Sequence, residues 1–215
     1  MSKNIYLLSD IKNLDSDIKS LSIFDIKFLE YDIDFNSYDA LIFTSKNAIY
    51  SIKDDKLWKN IPSYAISNKT AKVLKEVNSN LKYIGKSGDG DEFAKELIPI
   101  LENKKVLYIR AKKVVSNLHK ILNKNNILCE ELVTYETKCI NYSIDKKPTK
   151  NSIIIFSSPF TIECFLSNFT WDDSYLAVVI GKTTAEYLPS NINYKIAEET
   201  SIESCIKMAK SFSIN

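Results

Sequence analysis

The side chains best placed to do chemistry in this sequence are hydroxyls that follow short apolar runs. Thr44 and Ser45 end DALIFTS, Ser67 and Thr70 follow YAI, Ser157 and Ser158 end SIIIFSS, and Lys182, Thr183 and Thr184 follow LAVVIG. Where such a run is a strand and the next segment a helix, these hydroxyls stand beside backbone N–H groups that the first helical turn leaves unpaired. That arrangement receives carboxylate or phosphate. The same residue types are favoured helix caps, so each one taken singly serves either role. Arg110 is the single arginine among 29 basic side chains, and it ends the run KVLYIR. Its planar fork holds a carboxylate through two donors, which the ammonium groups of Lys46, Lys69, Lys86, Lys112, Lys113 and Lys182 cannot reproduce. A structural ion pair is the alternative use of Arg110.

Several kinds of chemistry are excluded by what is missing. His119 is the only histidine, which removes most hydrolase triads and multi-histidine metal sites, and no Asp/His cluster offers metal ligands. The four cysteines, Cys129, Cys139, Cys164 and Cys205, lie far apart with no CxxC pair, so neither zinc nor a disulfide framework is indicated and ordinary reduced thiols are expected. Gly88-Asp89-Gly90 lacks the continuation of a dinucleotide motif, and no phosphate-binding GxxxxGK[ST] occurs. A net charge of +2 gives no overall field for nucleic acid or an anionic membrane. The start MSKNIYLLSDIKNLD is too poor in apolar residues for an export signal, and no run long enough to span a membrane follows. A cytoplasmic monomer is expected, with no cofactor, metal, nucleic acid or membrane partner.

The elements that must position the hydroxyls are short β-branched runs, NIYLL, DALIF, SYAI, LKYI, KVLYI, SIIIF and LAVVI, alternating with helical periodicity. This alternation predicts an α/β fold of parallel sheets covered on both faces by helices. Capping spacings at Asp89 with Glu92, Thr183 with Glu186 and Thr200 with Glu203, and Pro159 behind Ser158, predict helix starts just after strand ends. The sequence also repeats. DALIFTSKNAIYSI resembles NSIIIFSSPFTIECF, so that Thr44 and Ser45 recur as Ser157 and Ser158, 113 residues on; YAISNKTA resembles VVIGKTTA, and Thr70 recurs as Thr184, 114 residues on. Two copies of a five-strand unit are expected. One runs over residues 37–132; the other is split into 1–30 and 143–215, and the chain crosses between them at 31–36 and 133–142. The two crossings could pair as an antiparallel ladder.

Taken in order, DALIFTSKNAI, YAISNKTA, KVLYIRA, VTYET, IIFSSPFT, VVIGKTTA and AEETSIESC resemble the uroporphyrinogen-III synthase family over nearly the whole chain. The sequence departs from the family pattern at Ser67 and Ala111, where glycine is common. The resemblance implies two flavodoxin-like domains joined by a two-stranded linker, with hydroxymethylbilane, a linear tetrapyrrole bearing eight carboxylates, held in the cleft between them. It implies closure of that chain with inversion of its last ring. Tyr135 matches the tyrosine of the family's VYxT run, and its phenol could assist the departing hydroxyl. Thr44, Ser45, Ser67, Thr70, Arg110, Ser157, Ser158, Lys182, Thr183 and Thr184 are then the expected substrate contacts. A two-domain binding protein or sensor for a small polyanion is the alternative, as is a tetrapyrrole binder that has lost the reaction.

Overall fold

The computed structural model of the chain describes residues 3–9, 11 and 15–213; the opening stretch in which no export signal is expected lies partly outside them. The chain divides into two compact units, Met1–Asp25 with Lys138–Asn215 (unit 1) and Ile26–Thr137 (unit 2).

Unit 1 contains strands β1 (Ile5–Leu7), β2 (Ile18–Ser20), β9 (Ile153–Phe156), β10 (Leu176–Val179) and β11 (Tyr194–Ile196). They lie in the order β11-β10-β9-β1-β2, and every recorded pair is parallel. Its helices are α5 (Pro159–Asn168), α6 (Lys182–Ala185) and α7 (Ile202–Ser213). Unit 2 contains β4 (Ala40–Phe43), β5 (Ser63–Ala65), β6 (Leu81–Ile84), β7 (Lys105–Ala111) and β8 (Leu128–Cys139), whose last two residues belong to unit 1, with α1 (Lys46–Ser51), α2 (Asn68–Glu76), α3 (Gly90–Leu97) and α4 (Leu118–Lys124). Its sheet runs β8-β7-β4-β5-β6, again through parallel pairs, with β3 (Phe24–Phe28) added beyond β8. In chain order unit 1 reads 2-1-3-4-5, the flavodoxin arrangement, and unit 2 reads 3-2-1-4-5, the other doubly wound order; in each the ligand-binding switch point lies where successive crossovers go to opposite sides of the first strand. That point falls between β1 and β9 in unit 1 and between β7 and β4 in unit 2.

The strands read as continuous apolar runs because each sheet is buried on both faces. In unit 2, Leu41, Phe43, Leu107 and Ile109 pack with Ile49, Trp58 and Leu74 on one face. Ala40, Ile42, Val106 and Tyr108 pack with Phe93, Leu97, Leu118 and Leu122 on the other. In unit 1, Ile154, Phe156 and Val179 meet α5 through Ile162 and Phe165, whereas Ile5, Leu7 and Ile155 meet Cys205 and Ala209 of α7. Gly85 lies where a β-carbon would stand 2.7 Å from the Ile66 carbonyl oxygen and 2.6 Å from the Phe93 ring, so the end of β6 can approach α3 only as glycine.

Three expectations need correction. The first crossing strand is β3, ahead of 31–36, because the hydrogen-bonded stretch is FDIKF rather than YDIDFN. β3 runs opposite to β8: Ile140 N donates to Ile23 O and Leu29 N to Thr134 O. Thr183 and Thr200 do not cap helices. Gly181 precedes α6, placing Thr183 within it, and Ser201 Oγ accepts from Ser204 N at the start of α7, displacing the expected cap by one residue. Finally, Cys139 and Cys164 form a disulfide. Their 25-residue separation hides a pairing that only the packing of β8 against α5 creates.

Candidate functional site

The carboxyl ends of the strands carry nearly all the hydroxyls singled out by sequence. At the unit 2 switch point, Ser45 is the N-cap of α1, its Oγ accepting from Asn47 N at 3.2 Å. Next to it, Thr44 Oγ1 lies 2.9 Å from the hydroxyl of Tyr108 on β7. Tyr135, buried on β8, brings its phenol into the surroundings of Ser45. A bulge makes this possible. Arg110 pairs with Val133 but Ala111 with Tyr135, so Thr134 is the extra residue. The bulge shifts the side-chain alternation: Leu132 and Tyr135, three residues apart, both reach the face packed by α1 and α2. Thr134 in turn accepts from Ser51 Oγ at 2.6 Å and through its carbonyl from Leu29 N, which fixes the bulge.

Both phenols are buried, and burial pushes each above its ordinary pKa; the hydroxyl of Ser45 near Tyr135, and those of Thr44 and Ser116 near Tyr108, pull partly back. Each therefore stays a neutral hydroxyl at physiological pH, able to donate a hydrogen bond.

Arg110 is committed elsewhere. Its Nε lies 2.5 Å from Glu131 Oε1, and its Nη1 donates to the carbonyls of Ala111 and Lys112. The Nε and Oε1 atoms are close without the alignment of a hydrogen bond, so the contact is an ion pair. His119 Nδ1 stands 3.4 Å from the same Glu131 oxygen. These groups floor a cavity of about 590 Å³ after β7, rimmed by Lys112, Lys113 and Ser116.

Along β5, Ser67 precedes α2 without a capping bond and lies 3.4 Å from the Thr70 hydroxyl, leaving the first-turn N–H groups of α2 without a side-chain acceptor. In unit 1, Ser158 caps α5 through a full capping box. Its Oγ accepts from Thr161 N while Thr161 Oγ1 accepts from Ser158 N, and Pro159 takes the first helical position. Ser157 lies between the end of β9 and this cap. After β10, Lys182 and Thr183 are exposed. The repeat-matched pair Thr70 and Thr184 is instead buried, each 4% exposed, on the inner side of its helix.

The glycines of Gly88-Asp89-Gly90 have conformational and packing reasons. Gly88 has φ of 75°, and a β-carbon at Gly90 would stand 2.4 Å from Ser116 Cβ. Asp89 caps α3 by accepting from Asp91 N and Glu92 N, as its spacing predicts. Among the described residues no group of acidic, histidine and cysteine side chains could hold a metal ion, and no helix is long and apolar enough to cross a membrane. Sequence reasoning missed Tyr108, Ser116 and Glu131. The signal for Tyr108 is its place two residues before Arg110, on the same side of β7.

The family model for uroporphyrinogen-III synthase HemD matches residues 20–207. The chain belongs to the uroporphyrinogen-III synthase family. A crystal structure of uroporphyrinogen-III synthetase from Helicobacter pylori is 32% identical, with a TM-score of 0.83, covering 98% of this chain and 99% of that one. The porphyrin biosynthesis protein HemD of Ruminiclostridium josui is 31% identical over 188 residues, 79% of this chain; the match spans 37% of that relative's length. A mutant uroporphyrinogen-III synthase from Thermus thermophilus, 12% identical with a TM-score of 0.54 over 98% of each chain, shares the fold.

Proposed function

We propose that the chain is a uroporphyrinogen-III synthase, closing hydroxymethylbilane to uroporphyrinogen III with inversion of ring D and loss of water. The observation that carries this reading is the buried Tyr135 phenol near Ser45 at a switch point, in a chain matched by the family model from residue 20 to 207. Loss of the substrate's terminal hydroxyl leaves a resonance-stabilised azafulvene cation. The substituted carbon of the last ring attacks it, and the spiro product fragments and recloses with that ring inverted. Tyr135 donates a hydrogen bond to the departing hydroxyl, the phenol keeping its proton in the resting protein because burial disfavours the phenolate.

Carboxylates are met by Ser45, by the first-turn N–H groups of α2 behind Ser67, and by Ser157, Ser158, Lys182 and Thr183 at the corresponding strand ends of unit 1. Each helix end or exposed cation contributes about 0.3 to 1 kcal/mol toward an anionic group, so affinity is distributed and orientation of a flexible chain is the main catalytic task. Arg110 acts at one remove, holding Glu131 and the Ala111–Lys112 carbonyls and so shaping the loop after β7. No cofactor enters this scheme, and the protein works as a cytoplasmic monomer.

The test is incubation with freshly prepared hydroxymethylbilane followed by chromatographic separation of the oxidised products. Type III isomer in excess over the spontaneous type I product is expected. Type I alone at the uncatalysed rate, with or without binding, would replace catalysis by a binding role.

A further inference from the structure

The disulfide joins the last residue of β8 to the middle of α5. The Cα atoms of Cys139 and Cys164 lie 5.1 Å apart, within the span such a bond allows. A second clasp crosses the same two segments without using sulfur. Asn168, the last residue of α5, donates its amide to Ile140 O and to Cys164 O, both at 2.8 Å, and accepts from Tyr142 N at 2.6 Å. Ile140 N donates to Ile23 O, the Tyr142 hydroxyl donates to Ser22 O at 2.7 Å, and its ring stacks on Phe169. The apposition of the two cysteines is thus fixed by contacts that survive reduction, and a dithiol held this way recloses at high effective concentration.

Access to the pair is one-sided. Cys164 is fully buried, while Cys139 is partly exposed, so an external reagent approaches the pair from the Cys139 side. The other two cysteines are poor competitors: burial pushes the Cys129 thiol up to about 12 and the Cys205 thiol up to about 11.

We propose that Cys139 and Cys164 form a reversible thiol–disulfide modification site, responsive to low-molecular-weight thiols and disulfides, that locks the end of β8 onto α5. Oxidation begins when the Cys139 thiolate attacks a small disulfide RSSR, forming a Cys139 mixed disulfide and releasing RS⁻. The Cys164 thiolate then attacks the Cys139 sulfur and expels the second RS⁻. The two thiol protons end on the two released thiolates, so one RSSR becomes two RSH as the pair loses two electrons. Reduction runs the same steps backward, entering at Cys139. In the dithiol form the end of β8 is held to α5 by Asn168 and its neighbours alone, and it opens more often.

The wild-type chain, equilibrated in glutathione buffers from reducing to oxidising, can be denatured in maleimide and weighed. Four labelled thiols at the reducing end, two at the oxidising end and a midpoint between them are expected, with Cys139–Cys164 as the linked pair in peptide maps. Four thiols in every buffer would overturn the site, as would two thiols in every buffer, the mark of a permanent cross-link, or stable glutathione adducts in place of the linked pair. Trypsin supplies a conformational readout at Lys138, which is exposed beside Cys139. Cleavage there should be about fivefold or more faster in the dithiol form, since cutting follows local opening; equal rates would overturn the lock. Asn168→Ala should slow reoxidation of the reduced chain about tenfold, through lost effective concentration, and unchanged reoxidation would remove the role given to the second clasp.

Discussion

The turn after β4 in unit 2 and the turn after β9 in unit 1 each follow the central one of five parallel strands, yet they are secured by different means. In unit 1 the turn is self-contained: Ser158 and Thr161 satisfy each other across a capping box, Pro159 presets the first residue, and ten-residue α5 is cross-linked through Cys164. In unit 2 the equivalent helix has only six residues, too few to persist alone, and its Thr44–Ser45 turn is held by the Tyr108 hydroxyl arriving from β7, with the buried Tyr135 phenol of β8 nearby. Local bonds make the first turn robust. Long-range hydroxyl bonds make the second sensitive to the chemistry beside it, which suits the unit that carries Tyr135.

Reducing the disulfide should break this contrast most. A closed loop with a separation of 25 residues withholds denatured-state entropy worth about 3.5 kcal/mol. Segment-resolved hydrogen exchange in urea should therefore show unit 1 losing about 3 kcal/mol on reduction while β4 and α1 keep their protection. Equal losses in both units would mean that they unfold together.

Alkali should act in the opposite sense. Tyr31, Tyr38, Tyr83, Tyr108 and Tyr135 of unit 2 have raised pKa values, Tyr38 to about 12, with burial the leading cause in each; in unit 1 only Tyr175, also at about 12, is so shifted among the described residues. A phenol whose folded pKa exceeds its unfolded value of 10 gives stability that is complete below pH 10 and lost as pH rises through the folded value. Unit 2 should thus lose protection first between about pH 10 and 12, followed by phenolate absorbance together with exchange. Earlier loss in unit 1 would contradict this assignment.

The parts of this architecture legible in the sequence are those written locally. Continuous apolar runs such as SIIIF and KVLYI marked strands buried on both faces, and the recurrence of Thr44–Ser45 as Ser157–Ser158 marked the two switch points. Asp89 and Ser158 announced their caps because capping partners lie within three residues. What escaped depends on contacts between distant segments. Arg110 stood open between a substrate contact and an internal ion pair until Glu131, on the neighbouring strand, supplied its partner. The extra residue at Thr134 is invisible in the alternation of VTYETKC, yet it decides which face Tyr135 joins. Cys139 and Cys164 carry no spacing signal, and Tyr108 reads as one more core aromatic until Thr44 is placed beside its hydroxyl.

If unit 2 holds the reacting end of the substrate, its hydroxyls should matter more than the matched ones of unit 1. Tyr135→Phe keeps the buried ring and removes only the donor, and should lower turnover about tenfold or more. Thr183→Ala and Thr70→Ala should change it by about twofold, since each removes at most one of many weak contacts. Initial rates of type III formation would rank the three; wild-type turnover in Tyr135→Phe would withdraw the chemical role.

The smallest expected effect separates the two caps themselves. Ser158→Ala should cost about 1 kcal/mol, the usual worth of a serine cap, and leave every tyrosine titration unchanged. Ser45→Ala should cost a similar amount, and it also removes the hydroxyl that restrains the rise of the Tyr135 pKa. With burial then unopposed, the Tyr135 phenol should ionise at still higher pH, which difference absorbance against Tyr135→Phe would detect. A Tyr135 titration that Ser45→Ala does not move would mean that the two hydroxyls are independent in solution and that the turn after β4 stands by its own cap, as the turn after β9 does.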